Sequence, residues 1–404
     1  MFKADKEKLV VEIDNDQINY AVFILNEKLN YEILFKKNSK NAGLDKGKIS
    51  NFIEAKNKIN DDLEEIEKKT GKIFENIFVI INQTEISSTN FTVFKKLGGS
   101  KVEKRDIEYI LNEAKNSVAN NQKSNSILHI LNSNYILDKT AQEGPPLNVF
   151  GDQLGLHTTF ISVPKNNLKN IYSLFENCDL KVQRVISKQF VFGIDFLKKN
   201  NHLKNFLIVN FEKQLTNVSL YDSSSLVSLR IIPFGTNSIY NDVAQLCSLK
   251  INEIDNLFNE INFNSSLDKE KSYIEKKFFT ETEYKKLTLS FVKDIVNARI
   301  KEMTNYSINM NKEASFMLDK ISKIYVFFQD ESIYKNLGEL FNKNLINFSN
   351  KSGIELMSNN DFSALSGAAE LIFKGWHREA IPLTVKKRSM ISSFFSRFFR
   401  KHTL

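Results

Sequence analysis

The 404-residue sequence is short of the residues that mark several classes of protein. It has two cysteines, Cys178 and Cys247, whose spacing fits neither a CxxC redox pair nor a metal motif, so we expect two buried thiols and no metal site. No apolar run approaches the roughly 18 residues that a membrane-spanning helix needs. The first eight residues are charged without an apolar segment to follow, which predicts a chain that begins and stays in the cytoplasm.

Basic residues exceed acidic ones only modestly, with 56 Lys and Arg against 48 Asp and Glu, a net charge of +8. A basic surplus can indicate nucleic-acid binding. The lysines, however, are mostly interleaved with Asp and Glu, as on solvated helix faces, so we expect no nucleic-acid partner. With 42% hydrophobic and 26% charged residues the chain is globular, and its length indicates more than one core.

Residues 206–245 are the most informative stretch of the sequence. Apolar or alternating segments at 206–210, 216–221 and 226–232 predict three strands joined by polar turns. A turn ending at Gly235 follows, and residues 237–247 have the pattern of an amphipathic helix. This order is similar to the opening of the second half of actin-like ATPases, where the first turn holds ATP phosphates.

The N-terminal part predicts an α/β layer. Two strands flank the polar turn at 14–17, a third strand follows, and a glycine-containing loop leads into a long amphipathic helix, roughly 50–70. Ser50 is the expected N-cap of this helix and Gly71 its end. A continuous apolar run then predicts a strand covered on both faces. The predicted strands are 9–13, 18–25, 31–35 and 77–81.

Residues 83–164 predict a separate α+β module with one helix from 103 to about 119. Its predicted strands are 91–94, the pair 126–131 and 134–137, and 154–163. His129 follows the alternating pattern of the strand pair, which favours a structural polar residue over a catalytic one. The rest of the chain predicts strands at 181–187, 323–328 and 355–357, and helices at 168–177, 287–305, 334–341 and 363–374.

The order of these elements resembles the FtsA family, actin-like bacterial proteins that tether the tubulin-like division protein FtsZ to the membrane. The module at 83–164 corresponds to the subdomain that distinguishes FtsA and its relative PilM from actin and Hsp70. The resemblance implies an α/β, actin/Hsp70-like ATPase fold of two halves with an FtsA-type inserted α+β subdomain. It is carried by residues 43–47, 126–131 with Asn134 and Tyr135, Pro146 to Leu154, 177–182, and 232–235 with 242–244.

The same resemblance implies subdomain boundaries. Subdomain 1A would comprise 1–82 and 165–204, subdomain 1C 83–164, subdomain 2A 205–236 and 322–384, and subdomain 2B 237–321. Residues 385–404 would form a linker and a membrane-targeting helix.

The nucleotide loops depart from the family pattern. The first loop, roughly [DE]-I-G-T-x-K in the family, is Glu-Ile-Asp-Asn-Asp-Gln at 12–17, so that Asp14 replaces the glycine. The second, D-I-G-G-G-T-T-D, is Asn-Phe-Glu-Lys-Gln-Leu-Thr-Asn at 210–217, and the third, T-G-G-A, falls at 327–330. Side chains in place of these glycines occupy the space that phosphate needs and strain the turn, while Asp14 and Glu212 add negative charge.

These departures predict a pseudo-ATPase with no catalytic residues, no cofactor, and no tightly bound ATP or Mg²⁺. The simplest alternative is that the loops now serve only as turns. The degenerate pocket would be lined by Glu12, Asn15, Gln17, Asn210, Thr216 and Gly235.

The C-terminal residues have the pattern of an in-plane membrane helix. At about 100° per residue, one half of the circumference is apolar and the other polar and basic, with Lys401 just inside the apolar edge. The alternative is a terminal helix that docks on the protein's own core. The expected membrane residues are Met390, Ile391, Phe394, Phe395, Phe398 and Phe399, with Arg397, Arg400 and Lys401 at the headgroups.

By resemblance, the chain would polymerise through actin-like contacts, bind the FtsZ C-terminal peptide through 237–321, and meet later division proteins through 83–164. Arg299 and Glu302 lie in the segment that receives this peptide in the family, and Arg299 would contact an acidic group. Alternatively, Arg299 is a solvated residue paired with Glu302. The expected location is the cytoplasmic face of the inner membrane at the division site.

Two other functions fit the same fold. One is a PilM-like assembly protein of a pilus or secretion system, which would bind a short peptide through 83–164 and would not require the phenylalanine-rich tail. The other is an active ATPase or sugar kinase of the actin–Hsp70 superfamily, which the altered phosphate loops argue against.

Overall fold

The computed structural model describes residues 7–26, 30–142, 144–261, 263, 272–308, 320–346, 353–358, 362–376 and 379. The predicted membrane helix therefore lies outside the described residues. The helices are α1 (Phe52–Thr70), α2 (Lys104–Asn121), α3 (Lys165–Glu176), α4 (Lys188–Lys199), α5 (Asn237–Cys247), α6 (Ile251–Glu260), α7 (Leu289–Ile308), α8 (Glu331–Ile346) and α9 (Ser363–Lys374).

Within the described ranges, the strands form three main sheets and one short hairpin. They are β1 (Glu7–Ile13), β2 (Gln17–Leu25), β3 (Tyr31–Lys40), β4 (Leu44–Asp45), β5 (Lys48–Ile49), β6 (Asn76–Ile81), β7 (Ser87–Lys96), β8 (Asn125–Leu137), β9 (Thr140–Gln142), β10 (Gln153–Pro164), β11 (Lys181–Ser187), β12 (Phe206–Phe211), β13 (Thr216–Asp222), β14 (Ser225–Ile232), β15 (Lys323–Phe328) and β16 (Gly353–Ser358). No helix in the described ranges is both long and apolar enough to cross a bilayer.

The two large sheets share one topology. The first-half sheet has the order β3-β2-β1-β6-β11, and the second-half sheet has the order β14-β13-β12-β15-β16. In each sheet an antiparallel three-stranded meander is followed by two parallel strands. Both central strands, β1 and β12, are almost completely buried, as expected of parallel strands that are covered on both faces. The chain thus contains two equivalent α/β halves.

Helix α4 lies between the two sheets and joins them into one core. The described core that surrounds it combines the first-half sheet with the inner face of the second-half sheet, including Phe206 and Phe327. Helix α9 packs closely on α4, and a Cβ at Gly367 would lie 1.8 Å from the carbonyl oxygen of Val191. Only glycine allows this approach of the two helices. A second core forms beneath α5, α6, α7 and α8 on the outer face of the second-half sheet.

The inserted module has its own small core beneath α2, on a sheet with the order β7-β10-β8-β9. The predicted strand pair within it is wrong: residues 125–137 form the single strand β8, paired with β10 along its length and interrupted by register shifts. The module touches both halves. It contacts the edge strand β14 where Ser88 Oγ accepts from the Leu229 N–H at 2.8 Å and donates to the Leu229 carbonyl at 3.1 Å.

Local turn chemistry explains where α1 begins and ends. Asn51, not Ser50, is the N-cap, and its side chain accepts a hydrogen bond from the Glu54 N–H at 3.3 Å. Gly71 ends the helix in the left-handed conformation, with φ 65°, as the sequence predicts.

Candidate functional site

The two equivalent hairpin turns, one from each half, face each other across a cleft. The first turn follows β1 at Asp14, whose N–H donates to the carbonyl of Gln17 at 3.0 Å. The second follows β12 at Glu212, whose N–H donates to the carbonyl of Leu215 at 2.9 Å. Lys213 of the second turn lies 3.3 Å from the carboxylate of Asp16 in the first. These are the turns for which the sequence predicts a degenerate phosphate pocket.

Lys188, the first residue of α4, places its ammonium group between these turns. Its Nζ lies 3.1 Å from Glu12 Oε1 and 2.9 Å from Glu212 Oε1, and it also pairs directly with Asp14. The residue is only 6% exposed. One buried cation therefore joins three buried carboxylates, two from the first half and one from the second.

Side-chain amides complete the arrangement. Asn82 Nδ2, at the end of β6, donates to Asp14 at 3.1 Å and to Glu212 at 2.6 Å. Gln189 Nε2 donates to Asn82 Oδ1 at 2.7 Å and to Asn217 Oδ1 at 3.0 Å, so it also spans the two halves. We call Glu12, Asp14, Asn82, Lys188, Gln189 and Glu212 the cleft network.

The buried charges of the cleft network shift one another's pKa values. Burial raises the pKa of Glu12 and of Glu212 to about 7, although Lys188 acts in the opposite direction. Burial alone would also raise the pKa of Asp14, but the Lys188 ammonium and the Asn82 amide hold it below its usual value. Burial would lower the pKa of Lys188, but its carboxylate partners raise it well above the usual value. The lysine is therefore charged, and near neutral pH each of the two glutamates is partly protonated.

The structure brings only some of the predicted pocket residues into the cleft network. Glu12 belongs to it, and Asn210 Nδ2 donates to Glu212 Oε1 at 3.1 Å. Asn15 is buried beside it and donates through Nδ2 to Asp14 at 3.3 Å. Gln17 points elsewhere and accepts from Asn38 at 2.7 Å.

Thr216 and Gly235 lie next to the second turn and do not contribute side chains to the cleft network. Thr216 Oγ1 donates to the carbonyl of Phe234 at 2.9 Å. A Cβ at Gly235 would lie 2.1 Å from the carbonyl oxygen of Glu212 and 2.7 Å from that of Lys213, so only glycine fits against the hairpin. Sequence reasoning missed Lys188, Asn82 and Gln189, whose side chains pair with or donate to Glu212 and Asn217 in the second half.

The third loop does not extend the pocket either. Gln329 Oε1 accepts a hydrogen bond from the Lys213 N–H at 3.1 Å. Asp330 accepts from the Ser332 N–H at 2.9 Å at the start of α8 and from the Tyr240 hydroxyl at 3.3 Å. Both side chains are thus engaged within the second half.

The residues of the cleft differ in chemistry from a phosphate cradle. A phosphate cradle needs backbone N–H groups that approach the ligand closely, usually at glycines, together with cationic partners. Here the turn positions carry Asp14 and Glu212, whose carboxylates would face the phosphates. Lys188, the buried cation of the cleft network, is already surrounded by carboxylate oxygens. Among described residues, no group of His, Cys, Asp and Glu has the arrangement of a metal site.

Arg299, the predicted peptide contact, lies on α7 and is already paired. Its Nε and Nη2 contact the two carboxylate oxygens of Asp242 on α5 at 2.5 Å and 2.8 Å. Its Nη1 also pairs with Glu302 on the same helix. The hydrogen bond to Asp242 raises the pKa of Arg299. Its role in partner binding remains a prediction, but an acidic ligand would have to share or displace Asp242.

Comparison with known proteins identifies the inserted module. Residues 84–162, nearly all of it, match the family profile described as the SHS2 domain inserted in FTSA. The chain is similar to FtsA proteins. It is 23% identical over 226 residues to the cell division protein FtsA of Agrobacterium fabrum, covering 56% of this chain and 51% of the relative. It thus spans about half the length of that protein.

Other FtsA proteins extend the match. The FtsA of Buchnera aphidicola from Acyrthosiphon pisum is 22% identical over 348 residues, covering 85% of this chain and 77% of the relative. The FtsA of Bacillus subtilis is 21% identical over 245 residues, covering 59% and 55%. The predicted resemblance to FtsA is confirmed.

Solved structures confirm the actin-like fold. A chain of the PilM–PilN type IV pilus biogenesis complex matches with a TM-score of 0.56 at 9% identity, over 88% of this chain and 89% of that one. MreB5 of Spiroplasma citri bound to AMPPNP matches with a TM-score of 0.50 at 9% identity, over 91% and 96%. At such low identity these similarities concern the fold alone.

Proposed function

We propose that this FtsA relative is a cell-division adaptor that polymerises and tethers the FtsZ ring to the cytoplasmic face of the inner membrane. The observation that supports this function is the inserted module, a separate α+β unit with its own core at the position where the FtsA profile matches. Because the fold is shared with proteins of other functions, the module is more informative than the two halves.

Membrane attachment would come from residues 385–404. Their sequence places phenylalanines on one face of a helix and basic residues on the other, which suits a helix lying in the plane of the bilayer surface. Each Lys or Arg near an anionic leaflet contributes about 1 kcal/mol. A single helix of this kind binds reversibly, whereas several helices along one polymer bind by avidity, so polymerisation would strengthen attachment.

The cleft would be held by the protein itself instead of by ATP. In actin-like ATPases the nucleotide lies between the two phosphate turns. Here Lys188 lies between them and pairs with carboxylates from both halves. We infer that this chain is a pseudo-ATPase in which Lys188 supplies the cationic link across the cleft. Assembly would then be controlled by the membrane and by partners rather than by nucleotide.

FtsZ would bind at α5 and α7. Arg299 and Asp242 form a bidentate ion pair between these helices, and Arg299 is about one quarter exposed. Leu246 on α5 and Phe291 on α7 are large apolar residues that face solvent. A peptide with an acidic group and apolar side chains would find both kinds of contact on this surface.

Flotation on anionic vesicles tests the tether. The full chain, with and without FtsZ from the same cell, would be compared with two tail variants of equal charge change. Phe398→Glu alters the predicted apolar face and should abolish flotation, whereas Ser396→Glu alters the polar face and should weaken it only slightly. FtsZ should float only together with the intact protein.

The two tail variants also separate the alternatives. Equal flotation of both variants would contradict the amphipathic helix. Flotation of the protein without FtsZ would contradict the division-ring function and favour a PilM-like assembly protein, whose fold this chain shares.

Nucleotide binding needs a separate measurement. The thermal unfolding midpoint should not change with Mg-ATP if Lys188 occupies the cleft, because a ligand that binds the native state stabilises it. A saturable rise in the midpoint would contradict the pseudo-ATPase and favour an active ATPase.

A further inference from the structure

The described chain beyond α9 is fastened to the body through Trp376 and Glu379, which we call the strap. The guanidinium carbon of Arg184, on β11, lies 3.8 Å from the centroid of the Trp376 ring. The Glu379 carboxylate accepts from Arg184 and pairs with His129 on β8, and the residue is only 5% exposed. Its backbone forms an antiparallel bridge with Leu131. The strap therefore contacts both the first half and the inserted module.

His129 uses both ring nitrogens. Its Nε2 accepts a hydrogen bond from the backbone N–H of Ser187 at 3.0 Å. A nitrogen that accepts carries no proton, so the proton of the neutral ring lies on Nδ1 and is donated to Glu379. Burial lowers the pKa of His129 although Glu379 acts in the opposite direction, which keeps the ring neutral. Glu379 thus selects the tautomer that the Ser187 N–H requires.

Ser187 connects this contact to the cleft network. It is the last residue of β11, and Lys188 is the first residue of α4. The Ser187 hydroxyl also donates to Gln189 Oε1 at 2.8 Å. Lys188 in turn forms an ion pair with Glu212, and Gln189 donates a hydrogen bond to Asn217. Glu212 and Asn217 both belong to the second half. A continuous series of buried polar contacts therefore leads from the strap to the second half.

We propose that the strap positions the cleft network, so that its engagement holds Lys188 against Glu212 and its release loosens the two halves from each other. The strap is the last described contact before residues 385–404, so it would connect the position of the tail to the cleft. That connection rests on the proposed function, in which the tail binds the membrane and Lys188 replaces nucleotide. The positioning role itself does not need membrane or nucleotide, and it can be measured in solution.

Amide hydrogen exchange tests the proposal. The rates would be compared between the full wild-type chain and the Glu379→Gln variant, without vesicles or nucleotide. The substitution keeps the size of the side chain but removes the charge that pairs with Arg184. We expect amide exchange at least roughly fivefold faster in peptides covering 186–190 and, in the second half, 210–217. Glu370→Gln is the matched control, because Glu370 on α9 pairs with Lys198 and Tyr31 and has no described contact with the strap.

The control should change exchange near Lys198 and Tyr31 and leave residues 210–217 unchanged. If Glu379→Gln does not fold, Arg184→Lys keeps the charge while removing the planar contact with Trp376, and it should give the same pattern with a smaller increase. Coupling between two sites is reciprocal, so Glu212→Gln should speed exchange around Glu379. Faster exchange that stays around residues 127–131 in Glu379→Gln would overturn the proposal, because the strap would then be only an anchor.

Discussion

Replacing Lys188 by methionine is the strongest perturbation of the cleft. Methionine keeps much of the side-chain length but leaves Glu12, Asp14 and Glu212 without their shared cation. Removing one partner of a buried ion pair typically destabilises a protein by about 3–5 kcal/mol. The hydrogen bonds from Asn82 remain, yet they cannot neutralise three carboxylates. We therefore expect a loss of about this size in the free energy of unfolding at pH 8.

The loss should be smaller at pH 6. Glu12 and Glu212 have pKa values of about 7 even beside Lys188, so without it they take up protons readily. One pKa unit corresponds to about 1.4 kcal/mol. The difference between wild type and Lys188→Met should therefore grow as the pH rises from 6 to 8.

Urea-induced unfolding at both pH values measures the effect. Trp376 is the only tryptophan, so its fluorescence reports on the first half, while far-UV circular dichroism reports on the whole chain. Lys68→Met is the matched control, since Lys68 is exposed on α1 and its ion pair with Glu64 contributes little. If Lys188→Met were as stable as Lys68→Met at pH 8, the cleft network would not hold the halves together.

Three further predictions concern pH, a turn and a partner surface. The pKa values of the two cleft glutamates are higher in the folded chain than in the unfolded one, so the folded state binds more protons. The free energy of unfolding of the wild type should therefore fall as the pH rises from about 5 through about 7, by up to about 1.4 kcal/mol per pH unit and proton. Urea titrations in which Glu212→Gln shows the same slope would contradict this. Gly235→Ala should lower the free energy of unfolding by about 1–3 kcal/mol, because the added Cβ would overlap the second turn. Gly144 has open space around it, so Gly144→Ala should leave the free energy of unfolding unchanged. Equal urea midpoints of the two variants would refute this distinction. Arg299→Glu should prevent FtsZ from floating with the protein. Lys301→Glu makes the same charge change at an exposed position of α7 and should leave FtsZ flotation intact. An equal loss of FtsZ flotation in both variants would indicate only a general charge effect.

The sequence predicted local elements well where the periodicity was clear. The meander β12 to β14 and helix α5 lie within a residue or two of the predicted bounds. Helix α4 was missed because nearly all of its residues are buried, so it has no polar face that would reveal a helical period. Strand β8 was divided into two, whereas Asn132, between the two predicted segments, pairs with Thr158 on β10 beside a register shift.

The cleft network could be predicted only in part. The acidic residues Asp14 and Glu212 were visible at the two turns, and buried carboxylates require a counter-ion. That requirement could have prompted a search for a buried cation. Lys188, however, is separated from Asp14 by 174 positions, and a lysine before an apolar run normally indicates a solvated helix start. Only the three-dimensional approach of α4 to both turns identifies it.

The contact between the inserted module and β14 has a consequence for assembly. An edge strand offers unpaired backbone groups to any other strand that reaches it, and proteins usually cover or disrupt such edges. Ser88 covers β14 here by bonding both backbone groups of Leu229, and Thr159 adds a bond to the carbonyl of Val227 at 3.4 Å. In the proposed polymer, strand addition at Val227 and Leu229 of β14 would therefore be blocked while the module stays in place, and the subunits would join through other surfaces.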